Sequence, residues 1–420
     1  MEVIPTQKSF RNYMVFWSGQ LFSLLGSMVV HFVIIWWIQI ETGSLTMLSL
    51  GQFFYFLPML LAMPIAGVFS DKLKRKNIIL VVDSLQAYTT LILIILFIFN
   101  VANVWLVFTF IGLRSICQAF HQPTVAAITP SMVPKDKLSR INGINFLFIG
   151  LIQLIGPALG ALMLQFFTIK EILWVDVITF FIALIPLIFI RIPVVRDNSE
   201  EKEKNGFIKD IKVGFSALKA IPGLIILLLM SMFINFLVQP IGTLMPYYVN
   251  VIHGGSEFEY ALITIFLQMG IIGGAILTTL KKEWKHKIEL TFFSIAFIGV
   301  GYAILALIPK GLFYFIGINL MTMGLTLPII NTIYQTILQT NVAQDKLGRV
   351  ISIDSALSMV ISPLGSIIAG PIAEIIGLSS LFLICAIATI VISLSMYFFT
   401  NIRHVKYNGN ITLESEILEV

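Results

Sequence analysis

Twelve long apolar runs follow one another along the chain, and they constrain its fold more than any other feature. They lie near residues 14–38, 45–69, 78–99, 104–127, 144–167, 172–190, 223–249, 260–280, 288–308, 312–337, 350–375 and 379–400. A helix crossing a bilayer needs about 20 mainly apolar residues, so the sequence predicts an all-α integral membrane protein of twelve transmembrane helices. Hydrophobic residues make up 58% of the 420 and charged residues only 12%, against about 25% charged in soluble domains. That excludes an ordinary soluble protein, a disordered chain and a nucleic-acid binder, and leaves the lipid bilayer as the obligatory partner.

The positive charge sets the orientation. With the N-terminus inside, all but Lys170, Lys310 and Arg114 of the 27 Lys and Arg residues fall on cytoplasmic segments, as the positive-inside rule requires. A multi-pass protein of the cytoplasmic membrane with both termini cytoplasmic follows. Lys8 and Arg11 precede the run from Met14 to Ile38, which is too long for a signal-peptide core and reads as the first permanent span. Cys117 and Cys385 sit inside apolar runs, with neither the pattern of a disulfide framework nor the spacing of a zinc site.

The longest polar stretch, Arg191 to Lys219, divides the spans six and six. It predicts an N-terminal half over 1–190, a linker over 191–222, a C-terminal half over 223–400 and a cytoplasmic tail over 401–420. Within the linker Phe207, Ile208, Ile211, Phe215 and Leu218 recur at helical spacing among lysines, as in a helix lying in the membrane interface or packed on the protein. The halves also repeat: Asp136-Lys137-Leu138-Ser139-Arg140 recurs as Asp345-Lys346-Leu347-Gly348-Arg349, and at the same offset Gly156 falls on Gly365. Internal repeats in two six-span halves mark secondary transporters, whose substrate binds between the halves.

Several motifs carry a family resemblance. The loop after the second run reads GVFSDKLKRK, with Gly67, Asp71, Arg75 and Lys76. It resembles the Gly-x-x-x-Asp-Arg-x-Gly-Arg-Arg loop of the major facilitator superfamily, with Lys72, Lys74 and Lys76 at three of its positions. Arg114 matches the family's helix 4 arginine, and Gly156-Pro157-Ala158-Leu159-Gly160 resembles its antiporter motif on helix 5. The segment from Arg114 to Gly143 is similar to the branch of macrolide-efflux proteins and the enterobactin exporter. The resemblance implies two pseudo-symmetric six-helix halves competent as a monomer. It also implies a cytoplasmic gate in which Asp71 meets the start of helix 11 near Arg349, and a central cavity lined by helices 1, 4, 7 and 10. Gly67 is read as a point of close helix approach. Pro157 is read as a kink near Gln153, with Gly156 and Gly160 allowing the halves to pack closely.

Polar residues inside the runs give the candidate site. Arg114, midway through span 4, is costly in lipid unless it faces a wet cavity or a partner. Its readings are substrate or proton handling, or a structural ion pair, and replacing it by alanine is expected to stop transport while sparing insertion. Polar stripes recur on four helices: Gln20, Ser23, Ser27 and His31; Arg114 and Gln118; Ser231, Asn235 and Gln239; Asn319, Thr322 and Thr326. Each residue taken singly is equally readable as interhelical glue. His121 reads as an interface histidine. Asp83, Asp176 and Asp354 are the carboxylates placed to carry a proton; for Asp176 a helix N-terminal turn, and for Asp354 a pairing with Arg349, are the leading alternatives.

No ATP-binding Gly-x-x-x-x-Gly-Lys-Ser/Thr loop occurs and no hydrolase motif. The expectation is therefore a transporter and not an enzyme, with no cofactor or metal and with the proton gradient as energy source. The resemblance makes it an exporter of amphipathic small molecules such as macrolide-like drugs, by proton antiport. Two alternatives are an exporter or flippase of an endogenous product, such as a siderophore or lysophospholipid, and a transport-silent membrane receptor or scaffold.

Overall fold

The computed structural model describes residues 6–190, 192–193, 221–281, 284–342, 344–407 and 411–413. The helix expected between 207 and 218 lies outside the described residues. Twelve helical segments among those described are long and apolar enough to cross a membrane, the sixth of them spanning Ile169–Phe189; they are built on α1 Gln7–Thr42, α2 Leu45–Lys72, α3 Arg75–Ile98, α4 Val104–Met132, α5 Leu138–Leu164, α6 Trp174–Phe189, α7 Leu224–Tyr247, α8 Glu257–Leu280, α9 Lys287–Leu307, α10 Phe313–Asn341, α11 Gln344–Ile376 and α12 Leu378–Phe399. One separate turn, Ile169–Ile172, leads into α6.

Local chemistry fixes the helix ends. A helix start leaves backbone N–H groups without partners, and hydroxyl or amide side chains satisfy one of them. Thr6 accepts from the Ser9 N–H at 3.2 Å, Ser44 from Met47 at 3.3 Å and Asn103 from Leu106 at 2.9 Å. The cap at Thr6 starts α1 seven residues before its apolar run. Gly43, in the left-handed region at φ 55°, ends the same helix, as C-terminal glycines commonly do.

The chain divides into two compact units. The first takes residues up to 200 together with 249–251 and 255–265, and the second takes the remainder. The two short stretches join the first unit through contacts on α1: Tyr260 stacks on Phe32 and Trp36 with ring centroids 5.0 and 5.8 Å apart, and Gln39 donates to Asn250 at 3.3 Å. In the first unit α1 packs on α5 and α6, α2 on α4, and α3 on α4 and α6; in the second, α9 packs on α12 and α10, and α7 on α11.

The basic loop between α2 and α3 holds one end of the first unit together. Arg75 donates to the Ala127 carbonyl of α4 at 2.7 Å, and Lys76 to the carbonyls of Ile188 and Ile190 at 2.6 and 2.9 Å. The last carbonyls of a helix have no intrahelical partner and carry partial negative charge, so Lys76 neutralises the end of α6. The Asp71 side chain, expected to gate against the start of helix 11 near Arg349, lies with that of Arg349 outside the described residues. At Gly67, read from the sequence as a point of close helix approach, nothing among the described residues lies within 4 Å of a placed β-carbon.

The antiporter-like motif also packs differently from expectation. α5 runs continuously through Pro157, and Gly156 and Gly160 face α1 inside the first unit. A β-carbon at Gly156 would sit 2.7 Å from the Met28 β-carbon, and one at Gly160 would sit 2.8 Å from the Phe32 ring. Their close approach is therefore to α1, within the first unit. The repeat preserves the arrangement: Gly365 of α11 faces Gln239 and the Phe236 carbonyl of α7 at 3.0 and 3.2 Å. Beyond α12, Ile402 and Val405 are buried in the core of the second unit beside Leu227, Phe292 and Ile337. A short antiparallel hairpin pairs Val405–Tyr407 with Ile411–Leu413, adding two strands in the tail to the all-α membrane part.

A buried histidine lies just past α7. His253 is 3% exposed, its Nδ1 accepts from the Gly311 N–H at 3.3 Å and its ring lies 4.4 Å from that of Tyr248. Burial, and then Lys310, hold its pKa below the usual 6.5. Below about 6.5 the unfolded chain binds a proton that the folded one refuses, so this contribution to stability is complete above that pH and is lost as pH falls. His253→Asn, whose Oδ1 replaces Nδ1, should flatten the fall in melting temperature between neutral and acid pH; an unchanged slope would show that His253 does not contribute.

Candidate functional site

Three helices of the first unit carry polar residues in register. On α3, Asp83, Gln86 and Thr90 stand three, then four, residues apart; on α4, Arg114, Gln118 and His121 run the opposite way; on α1, Gln20, Ser23, Ser27 and His31 complete the set. Such spacing puts each series on one helix face, and antiparallel packing brings them together in layers. All of them except Thr90 line a cavity of about 260 Å³ with Gln52, Tyr55 and Phe56 of α2.

One layer is a closed ion pair. Arg114 grips Asp176 of α6 with both terminal guanidinium nitrogens, Nη1 and Nη2, at 2.5 and 3.3 Å, and Asp176 also accepts from Ser27 at 2.9 Å and Thr90 at 2.6 Å. Arg114 donates to the Thr90 hydroxyl as well. Four helices, α1, α3, α4 and α6, thus meet on one carboxylate. The side chains of Arg114 and Asp176 are only 13% and 6% exposed. A bidentate guanidinium–carboxylate pair is the strongest side-chain arrangement available to a buried charge, and Asp176 is the partner that allows Arg114 to sit at this depth. Asp176 does lie in the first turn of α6, but its carboxylate is committed to Arg114. Pairing, rather than the N-terminal turn, accounts for it.

About 10 Å along α3, seven residues at 1.5 Å each, lies a second and looser layer. The Gln20 amide donates to Asp83 Oδ2 at 3.4 Å, and its Oε1 is 2.8 Å from His121 Nε2, which in turn lies 3.5 Å from Asp83 Oδ1. His121 is therefore a member of the site and not an interface histidine. Between the layers Gln86 donates to Gln118 at 3.5 Å, and at the far end the rings of His31 and Tyr55 lie 5.5 Å apart.

The polar stripes of the second half are used differently. Gln239 donates to Ser366 of α11 at 2.9 Å, and Asn319 donates to the Gly301 carbonyl of α9 at 2.8 Å. Thr322 and Asn235 bond carbonyls of their own helices, those of Asn319 and Ser231. The first two are the interhelical bonds of the glue reading, and the last two stay within one helix. Asp354 accepts from the Tyr334 hydroxyl at 2.7 Å, and the Arg349 side chain expected beside it is outside the described residues. Both cysteines are buried and free.

Among the residues brought together, Gln86, Thr90, Gln52 and Tyr55 were missed from the sequence. The signal for the first two was present, since Asp83, Gln86 and Thr90 form a polar stripe on a helix the resemblance does not assign to the cavity. Gln52 and Tyr55 share one face of α2, three residues apart, but among so many aromatic neighbours they carry no distinct pattern.

Comparison with known proteins places this architecture. The model of the Major Facilitator Superfamily matches residues 16–354. The chain belongs to the major facilitator superfamily. As a member it is a multi-pass membrane transporter of small molecules and not an enzyme. Macrolide efflux protein A of Streptococcus pyogenes is 28% identical over 392 residues, covering 93% of this chain and 96% of its own. The staphyloferrin A transporter of Staphylococcus aureus (strain NCTC 8325 / PS 47) is 25% identical, covering 91% and 95%. Among solved structures, a variant of the nucleoside transporter NupG superposes with a TM-score of 0.73 at 12% identity, over 91% of this chain and 98% of that one. Membership accounts for the twelve helices and the repeated halves, while the layered cavity in the first unit is read from this chain's own side chains.

Proposed function

We propose that this transporter exports amphipathic small molecules of the macrolide type across the cytoplasmic membrane by proton antiport with alternating access, one copy of the chain sufficing. Both termini are then cytoplasmic, as the distribution of Lys and Arg suggests. The observation that carries the reading is the cavity itself. It is lined by Arg114, which Asp176 holds in a fixed ion pair, and by a second carboxylate, Asp83, whose hydrogen-bond and ion-pair contacts are an amide and a histidine. A membrane-embedded carboxylate without a permanent cation is the kind of group that proton-coupled carriers use. The similarity to macrolide efflux protein A supports the cargo class.

The similarity to a staphyloferrin A transporter supports a second reading, export of a siderophore. Charge weighs against it. With Arg114 neutralised by Asp176, Asp83 leaves the cavity with no surplus positive charge for a polyanionic cargo, whereas a neutral or amine-bearing molecule meets no such penalty. At about 260 Å³ the cavity lies just under the range of drug-sized pockets, so it suits one polar portion of a macrolide and not the whole.

Cells expressing the protein should accumulate several-fold less radiolabelled erythromycin than cells carrying the empty vector, and a protonophore should remove the difference. Equal accumulation, with the protein confirmed in the membrane, would overturn the macrolide reading. A siderophore-export defect in cells lacking the protein would then favour the second.

A further inference from the structure

Arg114, Asp176, Asp83 and His121 are the charged or readily titrated groups gathered on α3, α4 and α6 around this cavity, and their contacts divide them into unequal pairs. Arg114 and Asp176 satisfy each other twice, and Ser27 and Thr90 occupy remaining acceptor sites of the carboxylate. Removing a proton from that guanidinium, or adding one to that carboxylate, would strand the other charge among four helices. This pair is fixed.

Asp83 is in the opposite position. Its Oδ2 accepts one long bond from Gln20, and its Oδ1 lies 3.5 Å from His121 Nε2 without a permanent cation in contact. The orientation of Gln20 follows from the donor inventory: its NH₂ must face the acceptor-only carboxylate, so its oxygen faces His121 and accepts from Nε2–H. Neutral His121 is then already committed as a donor to Gln20, and the pair Asp83 with His121 carries one uncompensated negative charge. Adding one proton, on the Asp83 carboxylate or on His121 Nδ1, cancels that charge and leaves the Gln20 bridge intact.

We infer that Asp83 and His121, held in register by Gln20, form the site that takes up and gives back the transported proton, while Arg114 and Asp176 stay charged throughout. The inference deepens the proposed antiport and rests on it. The proton comes from water on one side of the membrane and returns to water on the other, so no further reactant is needed. Gln20 acts as a positioning residue, because its amide spans both partners from α1. The groups facing Asp83 from its neighbours are Gln20 on α1, His121 and Cys117 on α4, and Asp176 on α6, while Arg114, His31 and Tyr55 line the same cavity.

The test is an infrared pH titration of the purified transporter in lipid, without cargo, reading the C=O stretch of a buried carboxylic acid that appears as pH falls. Asp83→Asn should abolish that band. Gln20→Leu and His121→Asn should keep it and move its midpoint by about one pH unit or more, a shift that a merely structural role for Gln20 would not produce. Asp176→Asn should keep the band, since Asp176 does not supply it, but lower its midpoint, because Arg114 is left without its partner carboxylate. A band that survives Asp83→Asn, or a midpoint unmoved by both neighbouring substitutions, would overturn the assignment. Because no cargo is present, this failure is distinct from failure of the accumulation assay: equal accumulation removes the macrolide reading, and export that persists with the protonophore removes the antiport reading, whatever the titration shows. Should Asp83→Asn fold poorly, the shifts in the other two variants still decide the question.

Discussion

Arg114→Ala is expected to destabilise the transporter by about 3–5 kcal/mol, the usual cost of removing one partner from a buried ion pair, and to stop transport. The truncation leaves the Asp176 carboxylate, with its side chain 6% exposed, holding only the hydroxyl bonds from Ser27 and Thr90. Two hydroxyls do not replace a guanidinium in a low-dielectric site. The double variant Arg114→Ala with Asp176→Asn should recover most of the lost melting temperature, since the stranded charge is gone, while transport stays absent. Melting of purified protein in detergent, read across the full double-mutant cycle, checks this. A single variant as stable as wild type would show that the pair is not worth its geometry. The sequence alone anticipated loss of transport with insertion spared; the pairing with Asp176 adds the fall in stability, so lost transport by itself does not assign Arg114 to the mechanism.

The second large effect is steric. Gly156→Leu should lower folded yield and melting temperature sharply, because even the first carbon of the new side chain would sit 2.7 Å from the Met28 β-carbon of α1. That atom is fixed to its backbone and has no rotamer through which to withdraw, so α1 and α5 must move apart. Overpacking commonly costs about 1–3 kcal/mol and occasionally more, and a leucine at a helix crossing belongs at the upper end. Small residues allow this approach in membranes, where lipid tails are as apolar as leucine and close packing supplies much of the association energy. Gly67→Ala is the control, since its new methyl group meets nothing within 4 Å among the described residues. Equal melting temperatures for Gly156→Leu and wild type would refute the α1–α5 contact.

These cases show which kinds of information each level carries. The glycines at 156 and 160 were legible as a motif, yet the surface they serve was not: the sequence suggested the interface between halves, and the structure puts them against α1. Arg114 was legible as an anomaly, because a cation amid apolar residues stands out, but its partner reads from the sequence as a helix-turn residue or a proton carrier, not as the other half of an ion pair. Asp176 lies 62 positions away on another helix, and nothing local links the two. His121 was set aside for the same reason, since one histidine near a helix end reads as ordinary until Gln20 and Asp83 arrive from α1 and α3.

The sequence by itself determined the twelve membrane helices and the family. Apolar length is a local property, and in hydrocarbon a lone segment satisfies its backbone polar groups only as a helix. Tertiary structure alone decided that the stripes of α1 and α4 join α2 and α3 in one cavity, while those of α7 and α10 bond to neighbouring helices and to their own. Which face of each helix turns toward which neighbour depends on glycine contacts, ridge packing and charge pairing between distant residues. Helical periodicity places a side chain on a face and leaves open what that face meets.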